Sequence, residues 1–146
     1  MSAGQIVWTE AMCVGVTEID VQHQKLIALI NSVEQAMKLG HSRDCMGDWL
    51  RALAKYALFH FQAEEIYMHR IGYPHLEDQK GEHAGFSQKV IEFNDRYINH
   101  DALLTVEMMQ YLKNWTMQHI LNSDGKIGRF VNRDKEEPDA TAEPEL

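Results

Sequence analysis

The sequence predicts an all-α fold: an antiparallel up-down four-helix bundle preceded by an irregular arm at residues 5–16. Four long segments carry apolar residues at alternating spacings of three and four, and short turn-forming stretches separate these segments. Such spacings place side chains along one stripe of a helix, which is the surface that a bundle buries. No stretch alternates polar and apolar residues with period two over a useful length, so no sheet is expected.

The four predicted helices span residues 18–39, 43–71, 75–98 and 102–122. Gly40 is a stop signal for the first helix, and the glycine-tyrosine-proline turn at residues 72–74 breaks the second. Residues 99–101 are typical of a turn, and their aspartate can cap the fourth helix. Gly125 follows the end of the fourth helix, and a short piece at residues 127–131 is expected to pack back on the bundle.

Length and composition restrict the class of protein. A chain of 146 residues with 45% hydrophobic and 25% charged residues suits one globular domain with a sizeable core. No apolar run approaches the roughly 20 residues that span a bilayer, and the N-terminus lacks the pattern of a secretory signal. Cys13 and Cys45 form no CxxC pair and are expected to be free thiols, with a disulfide between them as the less favoured alternative. We therefore expect a cytoplasmic protein with no membrane partner.

The net charge of −8 argues against a nucleic-acid partner, and much of it lies near the C-terminus. Residues 134–146 hold six acids and one base, so they carry −5 and leave −3 for the other 133 residues. This segment also holds two prolines and almost no large apolar side chain. We therefore expect one domain at residues 1–133, followed by an acidic disordered tail or by a linker to a further domain.

Ionisable side chains occupy stripe positions on all four predicted helices, where a bundle normally presents leucine: His23, His60, Glu64, His83 and His119. Gln79 holds a stripe position one turn before His83. An unpaired imidazole or carboxylate in an apolar core costs several kcal/mol in order of magnitude, so these groups need a shared partner. A divalent or trivalent cation is that partner, because imidazole nitrogen and carboxylate oxygen are its natural ligands.

The spacing of these residues directs several of them to one point. His60 and Glu64 are four residues apart and project from the same side of one helix. Asp124 follows His119 by five residues, where a fraying helix end could turn it inward. A nitrogen-rich ligand set with two carboxylates and no cysteine suits iron, and two carboxylates can bridge a pair of ions.

Taken one at a time, these residues have ordinary explanations, since a single histidine on such a stripe is more often a core or helix-face residue than a ligand. The remaining histidines lie near helix ends or turns and are expected at the surface: His41, His69, His75 and His100. His75, one turn before Gln79, is the alternative source of a nitrogen ligand. Trp115 lies one turn before His119 and can wall a small pocket beside the metal. Glu65 is expected at the surface or around the ligands.

Four segments carry a specific combination of motifs: EIDVQHQ at 18–24, HFQAEE at 60–65, GYP at 72–74 with His83 and Phe86 after it, and HILNSD at 119–124. In these segments the chain resembles the bacterial hemerythrin family, and the resemblance covers roughly residues 5–131. It implies a hemerythrin-like four-helix bundle with two non-haem iron ions, oxo- or hydroxo-bridged when oxidised, that bind O2. NO and small anions are alternative ligands under the same resemblance.

The resemblance also implies a role for each metal-binding side chain. The implied ligands are His23 and His60 on the iron that takes up O2, His83 and His119 on the other iron, and Glu64 and Asp124 as bridges. Trp115 and Ile120 are expected to line the O2 pocket.

The chain departs from the family pattern at Gln79, where the family has a third histidine on the second iron. Gln79 could bind through its amide oxygen, hydrogen-bond a water on the metal, or stay clear of the metal. A neutral amide is a poorer donor than imidazole, so we predict a labile or water-filled position on the second iron. Faster oxidation to the diferric state would follow.

The function that this combination favours is sensing. A stable O2 carrier needs a long-lived oxygenated state, whereas a sensor needs a ligand-dependent change coupled to something outside the bundle. The missing ligand and the acidic tail favour a sensory domain for O2 or redox state, of the kind that the family fuses to diguanylate cyclases and chemotaxis receptors. The alternatives are a free-standing O2 storage or carrier protein and a diiron oxidase or peroxidase. No general acid or base is reliably placed beside the metals, so no residue is assigned a catalytic role.

Overall fold

A computed structural model describes the chain at residues 5–40, 43–98 and 104–142. Its helices are α1 (Thr17–Lys38), α2 (Arg43–Arg70), α3 (Leu76–Ile98), α4 (Leu104–Gln118) and α5 (Gly125–Ala142). One turn of 3-10 helix interrupts the N-terminal arm at Glu10–Met12, and a π-helical segment at His119–Asp124 joins α4 to α5. The residues described contain no β-strand.

The first four helices form the predicted bundle. Helix α1 packs against α2 and α4, and α3 packs against the same two helices, so the four enclose one interior. Consecutive helices are neighbours, as short connections require. The predicted four-helix bundle is therefore confirmed. Across the three described ranges, no helix is both long enough and apolar enough to cross a membrane.

The ends of the first three helices lie within one residue of their predicted positions. Gly40 and Gly72 have φ angles of 72° and 70°, a left-handed conformation that glycine adopts without strain. Each glycine follows the last turn of its helix, so α1 and α2 end where the sequence indicates.

Two histidines and one cysteine lie exposed at the surface of the described chain. His69 and His75 are exposed, as predicted, and Cys13 is an exposed free thiol. The surface positions predicted for His41 and His100, the latter within the predicted turn at residues 99–101, lie outside the described residues, as does the side chain of Cys45.

The alternating stripes of the sequence become the buried interior. On α3, the stripe residues at 79, 83, 86, 90 and 93 are all buried. The main apolar cluster draws on all four bundle helices and includes Ile30, Leu53, Phe86 and Leu112. Burial of one such side chain stabilises the fold by about 1.5–3 kcal/mol.

Two side chains of α1 hold the N-terminal arm. The Asn31 side chain donates to the carbonyl of Ile6 at 2.9 Å and accepts from its N–H at 3.0 Å. Asp20 Oδ1 accepts from the N–H of Val14 at 2.8 Å. The arm also approaches α5 closely, because a Cβ at Gly128 would lie 2.3 Å from the carbonyl oxygen of Val14.

The fourth helix differs from the prediction, which ended it at Asn122 and treated residues 127–131 as a separate piece. The chain instead continues through the π-helical segment directly into α5. Gly125 has a helical φ of −57°, so this glycine does not end the helix. Ile127 is buried in one apolar cluster with Met68 of α2 and Tyr73, and this packing anchors the continuation.

Helix α5 extends to Ala142, so residues 134–142 are helical where the composition favoured a disordered tail. Extension of an existing helix needs no new nucleus, and the lysine and glutamates at 135–137 are good helix formers. Low hydrophobicity alone therefore did not predict the backbone of this segment. The domain boundary after residue 133 and the role of the acidic segment as a linker stay predictions.

Candidate metal centre

Six side chains that the sequence singled out meet inside the bundle, and each is at most 4% exposed. They are His23 of α1, His60 and Glu64 of α2, His83 of α3, and His119 and Asp124 of the π-helical segment. Their ligand atoms form two sets, each with all atoms within 4.8 Å of one another. The first group is His23, His60, Glu64 and Asp124, and the second group is Glu64, His83 and His119. The structure thus brings the predicted site residues together, while their role as ligands stays a prediction.

Glu64 faces the two groups with different oxygens. Its Oε2 lies 3.0 Å from His23 Nε2 and 3.2 Å from His60 Nε2. Its Oε1 lies 3.0 Å from His83 Nε2 and 3.8 Å from His119 Nε2. One carboxylate therefore presents one oxygen to each pair of histidines, as a bridge between two cations would.

Asp124 repeats this arrangement, with Oδ2 2.8 Å from His23 Nε2 and Oδ1 3.2 Å from His119 Nε2. The π-helical segment makes this possible. Five residues of an α-helix turn about 500°, so His119 and Asp124 would point about 140° apart. The wider turn of a π-helix, closed by i→i+5 hydrogen bonds, returns both side chains to nearly the same side. A regular widening of the helix, and not the fraying end that was expected, turns Asp124 inward.

In the second group, the Nδ1 atoms are the outer ring nitrogens of the two histidines. Each of them is hydrogen-bonded to a carboxylate. His83 Nδ1 lies 2.8 Å from Glu65 Oε2, and His119 Nδ1 lies 2.7 Å from Glu82 Oε1. A carboxylate can only accept, so each Nδ1 carries a proton and each Nε2 of a neutral ring keeps its lone pair. The two Nε2 atoms are 3.1 Å apart. Burial would lower the pKa of His119, but the charge of Asp124 and hydrogen bonds to Asp124, Glu64 and Glu82 raise it well above its usual value. A proton on Nε2 therefore links the two rings in the metal-free chain, and a cation bound by both nitrogens would replace it.

Sequence reasoning did not single out two of the three residues that orient the site histidines, Gln22 and Glu82. Gln22 Oε1 accepts from His60 Nδ1 at 2.8 Å, while Glu82 and Glu65 serve the second group. Each of the three is the chain neighbour of a predicted site residue. The sequence therefore held a signal for these residues, namely their position next to a site residue. A search along the buried stripe of a helix misses them, because successive helical residues point about 100° apart.

Burial and the pairing of opposite charges shift the pKa values of His23 and Glu64. Burial alone would lower the pKa of His23, but hydrogen bonds to Asp124 and Glu64 outweigh it and raise the pKa to about 9. Burial would raise the pKa of Glu64, yet the charge of His60 and hydrogen bonds from the surrounding histidines hold it well below its usual value. Both shifts arise because the carboxylates attract positive charge. Protons supply that charge in the metal-free chain, so metal binding here competes with protons.

The donor set also leaves buried atoms that the protein itself does not satisfy. Five such atoms make no hydrogen bond of acceptable geometry to a described residue, although three of them lie 2.8–3.2 Å from a ligand atom across the site. They are His23 Nδ1, His60 Nε2, Glu64 Oε1, Gln79 Oε1 and Asp124 Oδ2. Native proteins leave few buried polar atoms unpaired, and each such atom needs an explanation. Coordination of cations supplies one, so these residues fit a two-metal centre.

Gln79 lies beside the second group and is 2% exposed. Its Nε2 donates to Asp124 Oδ1 at 3.2 Å, which leaves the amide oxygen unpaired. His75 does not take its place, because the His75 side chain is 61% exposed and lies 3.6 Å from Asp78 Oδ2. The structure therefore places the alternative nitrogen donor outside the site.

Aromatic rings cover the histidines of the second group. Phe61 stacks on His83 with ring centroids 4.0 Å apart, and Trp115 stacks on His119 at 4.4 Å. Ile120 is buried in a separate apolar cluster that includes residues of the N-terminal arm. Trp115 thus lies beside the site, and the assignment of Trp115 and Ile120 to an O2 pocket stays a prediction.

Comparisons with known proteins agree with this geometry. The Hemerythrin HHE cation binding domain matches residues 14–131. The chain is 34% identical over 122 residues to a bacteriohemerythrin of Clostridium acetobutylicum, covering 81% of this chain and 95% of the relative. It is 29% identical over 121 residues to a hemerythrin-like protein of Naegleria gruberi, covering 82% and 87%. A crystal structure of wild-type hemerythrin matches with a TM-score of 0.78 at 25% identity, over 85% of this chain and 95% of that one.

Proposed function

Because the chain belongs to the hemerythrin family, we propose that it is an O2-binding diiron domain that senses O2 or redox state. The cofactor of the family is a non-haem diiron centre, and hemerythrins bind O2. The observation that carries the proposal is the arrangement of Glu64 and Asp124, each of which turns one oxygen toward each pair of histidines.

Six side chains would hold the two irons, and when bound the iron pair supplies reversible binding of O2. Glu64 and Asp124 would serve both irons. The remaining ligands would be His23 and His60 on the iron that takes up O2, and His83 and His119 on the other iron.

The surrounding residues prepare this site before metal binds. Gln22, Glu65 and Glu82 accept from the outer nitrogens of three site histidines, so the inner nitrogens point toward the carboxylates. Phe61 and Trp115 pack flat on two imidazoles and keep water from that side of the site.

Gln79 supports the sensing part of the proposal. Its amide nitrogen donates to Asp124, so its oxygen is the atom that remains for a cation. An amide oxygen is a weaker donor to iron than imidazole, so we expect a labile position at the second group. A change at this position would reach Asp124 through the hydrogen bond from Gln79.

The path from the site to the C-terminal end of the chain is short and continuous. His119 and Asp124 belong to the π-helical segment, and α5 follows it without a break. A shift of either side chain would move the start of α5, which is the mechanical link that a sensor with a C-terminal output needs. A signalling partner at that end and a cytoplasmic location belong to the same proposal.

A free-standing O2 storage or carrier protein is the second candidate. The matched region covers 95% of the Clostridium acetobutylicum bacteriohemerythrin, so a relative of about the size of this bundle exists. Reversible oxygenation with little oxidation of the iron would favour this candidate over a sensor.

The Gln79→His variant tests the sensing proposal. Wild-type protein is expected to bind two irons, one for each group of ligand atoms, and to oxidise rapidly to the diferric state in air. Gln79→His is expected to oxidise at least about tenfold more slowly, because a third imidazole closes the labile position. Iron analysis and the time course of the iron absorption bands measure both properties.

Gln88→His is the matched control, since it makes the same substitution at an exposed position of α3. If Gln79→His keeps two irons and oxidises at the wild-type rate, the role of Gln79 is refuted. If wild-type protein binds one iron or none, the diiron function itself is refuted.

A further inference from the structure

A surface pocket of about 510 Å³ lies beside the second group, at the start of α3. Several of its lining side chains can attract or repel a cation: His75, Asp78, Gln79, Glu82, Ser123 and Lys126. Two carboxylates and one ammonium group give this lining a net negative charge. Gln79 is the most deeply buried of these side chains, and it also contacts the site.

The α3 residues of the pocket form a graded series from solvent toward the site. The side chain of Asp78 is 80% exposed and that of Glu82 is 44% exposed, whereas Gln79 is 2% exposed. Spacings of three and four bring Asp78, Gln79 and Glu82 together on the helix surface. Asp124 lies immediately beyond, because its Oδ1 accepts from Gln79 Nε2 at 3.2 Å.

Gln79 Oε1 is the atom that points to a ligand. It is buried and lacks a hydrogen-bond partner in the parts of the chain that the structure describes, although Gln79 lines the pocket. A buried amide oxygen normally accepts a hydrogen bond. Amide and carboxylate oxygens are also ligands of hard divalent cations. A cation that enters the pocket would therefore satisfy this oxygen.

A second surface pocket of about 510 Å³ is lined in part by Glu65. Glu65 reaches the outer nitrogen of His83, while the inner nitrogen faces Glu64. The described link from this second pocket to the site therefore runs through Glu65 and the imidazole ring of His83. The pocket at Gln79 instead reaches a residue in direct contact with Asp124, one of the two shared carboxylates.

We propose that the pocket at Asp78, Gln79 and Glu82 is the uptake site for the divalent cations that fill the buried centre, ferrous iron in the loaded protein. Asp78 would collect the cation from solvent beside Glu82, whose Oε1 accepts from His119 Nδ1 and Ser123, and the Gln79 amide oxygen would pass the cation on to Asp124. Exposed carboxylates suit this role because the cation must leave them again. The inference rests on the proposed diiron function and adds the route by which metal arrives.

The Asp78→Asn variant tests the route through the rate of metal uptake. Metal-free, full-length protein is mixed with limiting Fe(II) in the absence of O2, and uptake is followed by competition with a chromophoric chelator. Co(II) serves as a second probe, because its absorption reports binding directly. Asp78→Asn is expected to take up both metals about three- to tenfold more slowly than wild type, with the same final content.

The matched control is Glu77→Gln, which removes a neighbouring carboxylate that is 85% exposed and lies 3.6 Å from Lys80 Nζ. It is expected to take up metal at the wild-type rate, because Glu77 is outside the pocket lining. Equal rates in wild type and Asp78→Asn would overturn the route, and so would equal slowing in both variants. Either result would leave two irons bound at the end of uptake, so the proposed function would stand. Wild-type protein that binds no iron would refute both the uptake route and the proposed function.

Discussion

Individual residues orient the site histidines around the bundle in a repeated manner. Each of three outer residues lies on one helix and accepts a hydrogen bond from a histidine on the next: Gln22 from His60, Glu65 from His83, and Glu82 from His119. His23 of α1 lacks such an outer residue, since its Nδ1 has no hydrogen-bond partner within the described ranges. His23 is therefore the site histidine least constrained through its outer nitrogen.

The Glu65→Gln variant is expected to bind metal about 10- to 100-fold more weakly than wild type. Glutamine can still accept from His83 Nδ1, but it brings no charge, so the imidazole becomes a weaker donor. Competition with a chelator of known affinity measures the change. Glu92→Gln removes a carboxylate that is 46% exposed and lies 3.9 Å from Lys89 Nζ, and it serves as the control. Equal affinities in the two variants would contradict the role of Glu65.

Among the elements, the π-helical segment has the largest effect on the site. It places His119 and Asp124 on nearly the same side of one continuous helix, and an α-helix of the same sequence would separate them. Irregular turns of this kind are found frequently at functional sites. The segment therefore links the geometry of the site to the start of α5.

The contact between the N-terminal arm and α5 yields a stability prediction. Gly128→Ala is expected to destabilise the protein by about 1–3 kcal/mol, because its Cβ would press on the backbone of the arm. That Cβ would lie 2.3 Å from the oxygen and 3.0 Å from the carbon of the Val14 carbonyl. Chemical denaturation of the metal-free protein measures the free energy of unfolding.

Gly85→Ala provides the comparison, because a Cβ at this position of α3 meets no described atom within 4 Å. It is expected to stabilise the protein by about 0.5–1 kcal/mol, since alanine favours the helix over glycine. A Gly128→Ala protein that is as stable as Gly85→Ala would show that the arm does not press on α5.

For the whole molecule, the folded domain is expected to be complete without its acidic end. A chain that ends after Arg133 should keep the iron content and melting temperature of the full chain. The reason is that the α5 residues in the described apolar clusters are Ile127, Phe130 and Val131, all before the cut. Iron analysis and thermal unfolding of the shortened chain check this, and loss of iron would show that residues 134–146 belong to the domain.

The sequence by itself determined the helical bundle and the set of side chains that meet inside it. Apolar spacing of three and four needs no tertiary information, because it follows from the pitch of a single helix. The same reasoning located His23, His60, Glu64, His83 and His119, since an ionisable residue on a buried stripe stands out against its apolar neighbours. Glycines at 40 and 72 marked two helix ends because their backbone conformation is costly for other residues.

Only the tertiary structure decided the features that depend on two helices at once. Gln22 and Glu82 lie off the stripes of their own helices, and their function becomes visible only when a histidine of the next helix lies within hydrogen-bond reach. The π-helical segment and the continuation into α5 could not be predicted from local helix propensity. Both depend on tertiary contacts, namely the packing of Ile127 on α2 and the contacts of Asp124 across the interior. Local sequence sets which face of a helix is buried, and packing between helices sets what each buried atom contacts.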